Sequence, residues 1–160
     1  MIYQHTFAPI FDENSKILIL GSFPSVKSRE EGFYYGHPRN RFWQVLSAIF
    51  TESPPENVAE KQNLLLNHNI ALWDVCSSCE VSGSSDSSIR EVTPNDLSVI
   101  LNAAKIERIF TNGRTADSLY RKFCEKSFDI PAVCLPSTSP ANASWSTQKL
   151  ISEWKIISER

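Results

Sequence analysis

The spacing of apolar residues along the chain alternates between two periods. Residues 17–20, ILIL, form a continuous apolar run that stops at Gly21, the pattern of a buried parallel strand feeding a loop. From Asn40 the period turns helical. Phe42, Val45, Leu46, Ile49 and Phe50 recur on one face behind Pro38 and a capping Asn40, which predicts a helix from about residue 41. A second helix is expected over 56–68, behind Pro54-Pro55, and IALWDV (70–75) reads as the next strand. CEVSGSSDSSIREVTP (79–94) has too little apolar content for a packed element and reads as a long loop, a kind of segment that is more often functional than idle.

The alternation then repeats. Residues 95–104 read as helix, IERIFT (106–111) as strand, 115–126 as helix with Leu119 and Phe123 on one face, and PAVCLP (131–136) as the last strand. After the loop STSPANAS, a final helix is expected over 147–158, with Leu150, Ile151, Trp154 and Ile157 spaced for burial. Strands alternating with helices predict an α/β fold: a three-layer α/β/α sandwich around a mainly parallel four-stranded sheet, as a single domain over 1–160. In such sheets ligands bind outside the carboxyl ends of the strands, so the loops 21–40, 74–94, 112–115 and 136–146 are where chemistry is expected.

Composition narrows the classes. The chain has 160 residues, 41% hydrophobic and 21% charged, which suits one globular core and excludes disordered or fibrous types. No apolar run approaches the roughly 20 residues that span a bilayer, and the N-terminus MIYQHTFAPIF lacks secretory features, so a cytoplasmic protein is expected, nucleoid-associated in a prokaryote. A formal net charge of −2 argues against a broad basic surface; any DNA contact is local, through Lys27, Arg29, Arg39, Arg41 or Arg114. Cys76, Cys79, Cys124 and Cys134 read as reduced thiols, with a zinc or iron–sulfur site as the minor alternative. Phosphate-cradling loops, dinucleotide fingerprints, nucleophile elbows and His-Glu-x-x-His are all missing.

The densest chemistry is GSFPS (21–25) followed by GFYYGHPRNRFW (32–43). Together these segments resemble the first active-site region of the uracil-DNA glycosylase superfamily, above all its mismatch-specific branch. LPSTSPANAS (135–144) lies where that superfamily has its second motif, the loop that enters the DNA helix. One position departs. Where the superfamily usually carries a water-positioning Asp or Asn, this chain has Phe23, whose ring cannot polarise water. The branch that shares this loss, and that also resembles LWDVCSSCEVSGSSDSSI and TNGRTA, is the hypoxanthine-DNA glycosylase branch, in which the Asn of His-Pro-x-Asn-Arg is taken as catalytic; here that residue is Asn40.

The resemblance implies a monofunctional enzyme of base excision repair that needs no cofactor or metal and acts, as a monomer, on single- or double-stranded DNA holding a deaminated base. Breaking an N-glycosidic bond passes through an oxocarbenium-like sugar, so a bound base and a placed water lower the barrier without a strong base. Asn40 would orient that water by accepting its hydrogen bond. A base flipped from the stack needs aromatic walls, for which Tyr35 stands in the stacking position and Phe23 on the opposite side. Asn112 could read the base edge or serve as a turn residue before Gly113. Ser25, His37, Arg39, Ser137, Thr138, Ser139 and Asn142 are the expected DNA contacts, with His37, Arg39 and Arg41 alternatively bracing the loop, and Asp86 and Ser88 as lesser candidates. Phe42, Trp43 and Trp73 read as core, and Asp74 as either a pocket residue or a cap. The same residues leave open a G·U or G·T mismatch glycosylase and, in another class, a module that binds damaged DNA without cutting it.

Overall fold

The computed structural model describes residues 2–4, 7–80 and 90–159, with the backbone alone at 2–4, 26, 27, 80 and 90. Its centre is a four-stranded sheet in the order β3-β2-β6-β7, made of β2 (Ile17–Gly21), β3 (Ile70–Asp74), β6 (Arg108–Asn112) and β7 (Ala132–Leu135). All three pairings are parallel. Every residue of β2 and β3 is buried, which requires cover on both faces and explains why their sequence is continuously apolar rather than alternating. The expected α/β architecture with a parallel four-stranded sheet is what the chain forms.

The helices are α1 (Val26–Glu31), α2 (Phe42–Ile49), α3 (Val58–Asn67), α4 (Ser98–Leu101), α5 (Arg114–Phe123), α6 (Glu125–Phe128) and α7 (Thr147–Trp154), the last continued by a 3-10 turn over Lys155–Ser158. α2 packs on α7, α3 on β3, and α5 on β6 and β7. Trp154 is fully buried, lies edge-on to the Phe42 ring at 5.9 Å, and donates its indole N–H to the Pro136 carbonyl at 2.9 Å. One side chain thus closes the core and ties down the loop that leaves β7.

Three expectations are corrected. The segment read as loop 79–94 is entered and left by strands: β4 (Cys76–Glu80) and β5 (Arg90–Pro94) pair antiparallel, with β1 (Ile2–Gln4) beside β4 in a second, three-stranded sheet. Residues 81–89, with Asp86 and Ser88, lie outside the described part. The loop 21–40 contains α1, whose Ser25 accepts from the Ser28 N–H at 3.1 Å as a side-chain cap. The helix expected over 115–126 breaks at Cys124.

The order β3-β2-β6-β7 places the chain's switch point between β2 and β6. From β2 the chain crosses to one side and from β6 to the other, which opens a crevice beyond their carboxyl ends. Trp154→Ala should lower the free energy of unfolding by about 3–5 kcal/mol, as for other large-to-small core changes, measured by urea denaturation.

Candidate active site

A cavity of about 940 Å³ occupies that crevice. Its lining comes from the end of β2 (Gly21 to Ser25), the aromatic loop (Tyr34, Tyr35), Asn40, Asp74 at the end of β3, Asn112 to Arg114 after β6, and the loop after β7. Tyr35 and Asn40, the two residues on which the sequence reading depends, line this one cavity.

The aromatic loop is built as a wedge. Tyr34 is 2% exposed, donates its hydroxyl to Ala8 O at 2.8 Å, and meets Phe7 and Phe33 edge-on. Burial in this apolar setting, with Asp74 adding to it, pushes its phenol far above the ordinary tyrosine range, so it stays neutral. Trp43 holds the loop's backbone by donating to Tyr34 O at 3.1 Å, and Lys61 lies over both Phe33 and Trp43. Tyr35, anchored between these groups, takes a left-handed φ of 52° and stacks on Phe42 with ring centroids 4.1 Å apart. A tyrosine in that region costs about 1–3 kcal/mol and persists only where its surroundings over-determine it.

Gly21 has a steric reason. A Cβ there would lie 2.2 Å from Asp74 Oδ1 and 2.8 Å from the Tyr35 hydroxyl oxygen, so a carboxylate and a phenol meet over a position that only hydrogen can occupy. Asp74 is 3% exposed at the cavity wall. The sequence had left it between pocket and cap; the structure assigns the side chain to the pocket, while its backbone carbonyl accepts from Asn95 Nδ2 at 2.8 Å. The available signal was an acid at the end of an otherwise apolar strand.

Asn40, Thr138 and Asn112 form a directed chain. The Phe42 N–H, at the first residue of α2, donates to Asn40 Oδ1 at 3.0 Å; the cap position itself is Arg41, one residue later than the sequence suggested. The Thr138 hydroxyl donates to the same oxygen at 2.9 Å. Asn112 Nδ2 donates to Thr138 Oγ1 at 3.0 Å, and the Thr138 N–H donates to Asn112 Oδ1 at 3.0 Å. One sequence-based role changes: Thr138, expected at a phosphate, is fully buried. Asn112, read as either a base-edge contact or a turn residue, lines the cavity and ties β6 to the loop after β7. The Asn40 oxygen already accepts twice, which leaves the amide nitrogen, a donor where the sequence suggested an acceptor, as the group still able to bond in the cavity that Asn40 lines.

The remaining candidates divide between wall, brace and rim. Phe23 lines the cavity and packs on Cys76 and Cys79, with the Arg29 guanidinium 5.5 Å from its ring centre. His37 accepts the Arg39 N–H at Nδ1 and bonds through its carbonyl to the Asn40 N–H, so it shapes the turn. Arg41 is a brace: its guanidinium donates to the carbonyls of Trp145, Ser139 and Asn142, and its own N–H donates to Thr138 O. Ser137 and Ser139 accept the N–H groups of Ser139 and Ala141, and Asn142 Nδ2 returns to Ser137 O. Arg39 and Arg114 are exposed cations near the opening, and the Lys27 side chain lies outside the described part. Among the described residues no three His, Cys, Asp or Glu side chains gather as a metal-holding group, and none of the four cysteines is in a disulfide.

Comparisons with known proteins give the family and the fold. The model of the uracil DNA glycosylase superfamily matches residues 8–158. A hypoxanthine DNA glycosylase of Methanosarcina acetivorans is 36% identical over 153 residues, covering 94% of this chain and 95% of the relative. One from Methanosarcina barkeri is 36% identical over 110 residues, covering 68% and 70%. A solution NMR structure from Methanosarcina acetivorans, named for the uracil DNA glycosylases, superposes with a TM-score of 0.83 at 34% identity over 99% of this chain and 98% of that one.

Two outcomes are expected. Gly21→Ala should cost about 1–3 kcal/mol of stability, read by thermal unfolding, because Asp74 and Tyr35 must both give way. Arg41→Met should raise amide hydrogen exchange at Asn142 and Trp145 while leaving β2 and β6 protected. Arg41→Lys should not restore protection, since a point charge cannot span three carbonyls.

Proposed function

Because the chain belongs to the uracil DNA glycosylase superfamily, we propose that it is a monofunctional DNA glycosylase that hydrolyses the N-glycosidic bond of hypoxanthine flipped out of DNA. The observation that carries the reading is that Tyr35 and Asn40 line one cavity, whose volume of about 940 Å³ takes a purine nucleotide. Relatives named for hypoxanthine over nearly the whole chain support the choice of base.

The chemistry follows from the groups at hand. The extruded base enters between Tyr35, whose other face is braced by Phe42, and Phe23; stacking of this kind is worth about 1–3 kcal/mol per base. The Asp74 carboxylate suits the N1–H of hypoxanthine and repels the N1 lone pair of adenine, so adenine is penalised. As the C1′–N9 bond breaks, its electron pair leaves with the purine and positive charge gathers on the sugar. Asn40 Nδ2 holds a water by one lone pair, leaving the other for C1′. Attack forms the C1′–O bond, the proton shed by the water passes through solvent to the departing purine anion, and the products are free hypoxanthine and an abasic sugar.

With Phe23 in place of a carboxylate or carboxamide, no second side chain at that position competes to place the water. Among the described residues no lysine lines the cavity to attack the sugar, and strand cleavage by Schiff-base chemistry is not expected. Exposed Arg39 and Arg114, with Ser25, His37, Ser137, Ser139 and Asn142, form the rim that meets the DNA backbone of a single copy of the chain.

Base release should be measured under single-turnover conditions on deoxyinosine, deoxyuridine and deoxyxanthosine, in single and double strands. Abasic sites at deoxyinosine are expected, and Asn40→Ala should slow them about a hundredfold. Release of uracil alone, or tight binding of inosine-containing DNA with no release, overturns the proposal.

A further inference from the structure

The hydrogen-bond chain behind Asn40 admits only one direction. A backbone N–H can only donate, so the Thr138 N–H, 3.0 Å from Asn112 Oδ1, identifies that atom as oxygen and the other end of the amide as nitrogen. Asn112 Nδ2 therefore donates to Thr138 Oγ1 at 3.0 Å, and the single hydroxyl hydrogen is left for Asn40 Oδ1 at 2.9 Å. At the far end the Phe42 N–H, again able only to donate, fixes the same oxygen from the other side at 3.0 Å. Both lone pairs of Asn40 Oδ1 are taken. Asn40 lines the cavity, and Nδ2 is the end of its amide still able to bond there.

Thr138 stands at the centre of this arrangement and is fully buried, with Asn112 only 8% exposed. Thr138 has no exposed surface with which to meet DNA. Two other ties hold the Thr138 backbone without its hydroxyl, its N–H to Asn112 and its carbonyl to the Arg41 N–H at 3.1 Å, and the Arg41 guanidinium holds the loop just beyond it at Ser139 and Asn142. The hydroxyl is thus not needed to place the loop; its particular effect is on the Asn40 amide, which without it keeps one anchor and can turn about it.

We propose that Thr138 is the positioning residue that sets the reactive orientation of Asn40, presenting the amide nitrogen to the water that attacks the sugar. The inference rests on the reading of Asn40 as the water-holding group. Loss of orientation lowers the rate of the bond-breaking and capture step while leaving the grip on DNA unchanged, because the water, not the base or the phosphates, is what becomes misplaced.

The test uses the full chain and a duplex carrying one deoxyinosine. Thr138→Val, close in shape but lacking the hydroxyl, should reduce the single-turnover rate at saturating enzyme about tenfold or more, with half-saturation unchanged within about twofold. Thr138→Ser, which keeps the donor, should stay within about threefold of the parent rate. If the valine is not accommodated, Thr138→Ala carries the same expectation. The Asn40 side-chain amide signal in ¹H–¹⁵N spectra, identified by its disappearance in Asn40→Ala, should shift or broaden in Thr138→Val and return in Thr138→Ser. The inference is overturned by a parent-like rate without the hydroxyl, by a serine variant as slow as valine, by weakened binding at an unchanged rate, or by an unmoved Asn40 signal. Should Asn40→Ala release base at the parent rate, the catalytic reading of Asn40 fails instead, and the spectra alone judge the tether.

Discussion

The N–H of Phe42 opens helix α2 with no carbonyl behind it to accept its hydrogen, as every helix start must. Asn40 supplies the oxygen, and in doing so turns its amide. Much of the site follows from that one bond: the oxygen has a second lone pair, Thr138 fills it, and Thr138 in turn is held by Asn112 at the end of β6. A helix cap, a loop and a strand end are joined by bonds that each leave one choice for the next. The sheet provides the frame, since the switch between β2 and β6 brings these three segments to one crevice.

The aromatic density of residues 32–43 has a mechanical explanation. A loop that must hold Tyr35 at a positive φ needs neighbours that cannot shift, and rings buried on several sides are good at this. Tyr34 is driven into the core, Trp43 bonds the backbone from beneath, and Phe42 backs the Tyr35 ring. Asp74 and Tyr35 then close over Gly21, so the wall of the cavity is formed by contacts that leave no slack.

The strands of the parallel sheet were legible in the sequence because a strand buried on both faces is simply apolar, as ILIL is. β4 and β5 were not: with Cys, Ser, Glu, Arg and Thr along them, they carry no apolar period, and their pairing is a tertiary outcome. Site residues separated in the same way. Asn40 and Tyr35 stood out by chemistry, and the cavity contains both. Thr138 and Asn112 were read as ligand contacts because a polar residue on a loop looks alike in sequence whether it faces outward or satisfies a buried neighbour; only the fold reveals the partner. Arg41 was ambiguous for the same reason.

Arg41 has an electrostatic consequence for how the molecule meets nucleic acid. Its charge is directed inward, neutralising the dipoles of three carbonyls, and is not available to phosphates. In a chain with a net charge of −2, that leaves few cations to displace counterions from a duplex. Adhesion to intact DNA is therefore expected to be weak and only mildly sensitive to salt, so that recognition falls to the crevice rather than to the surface around it.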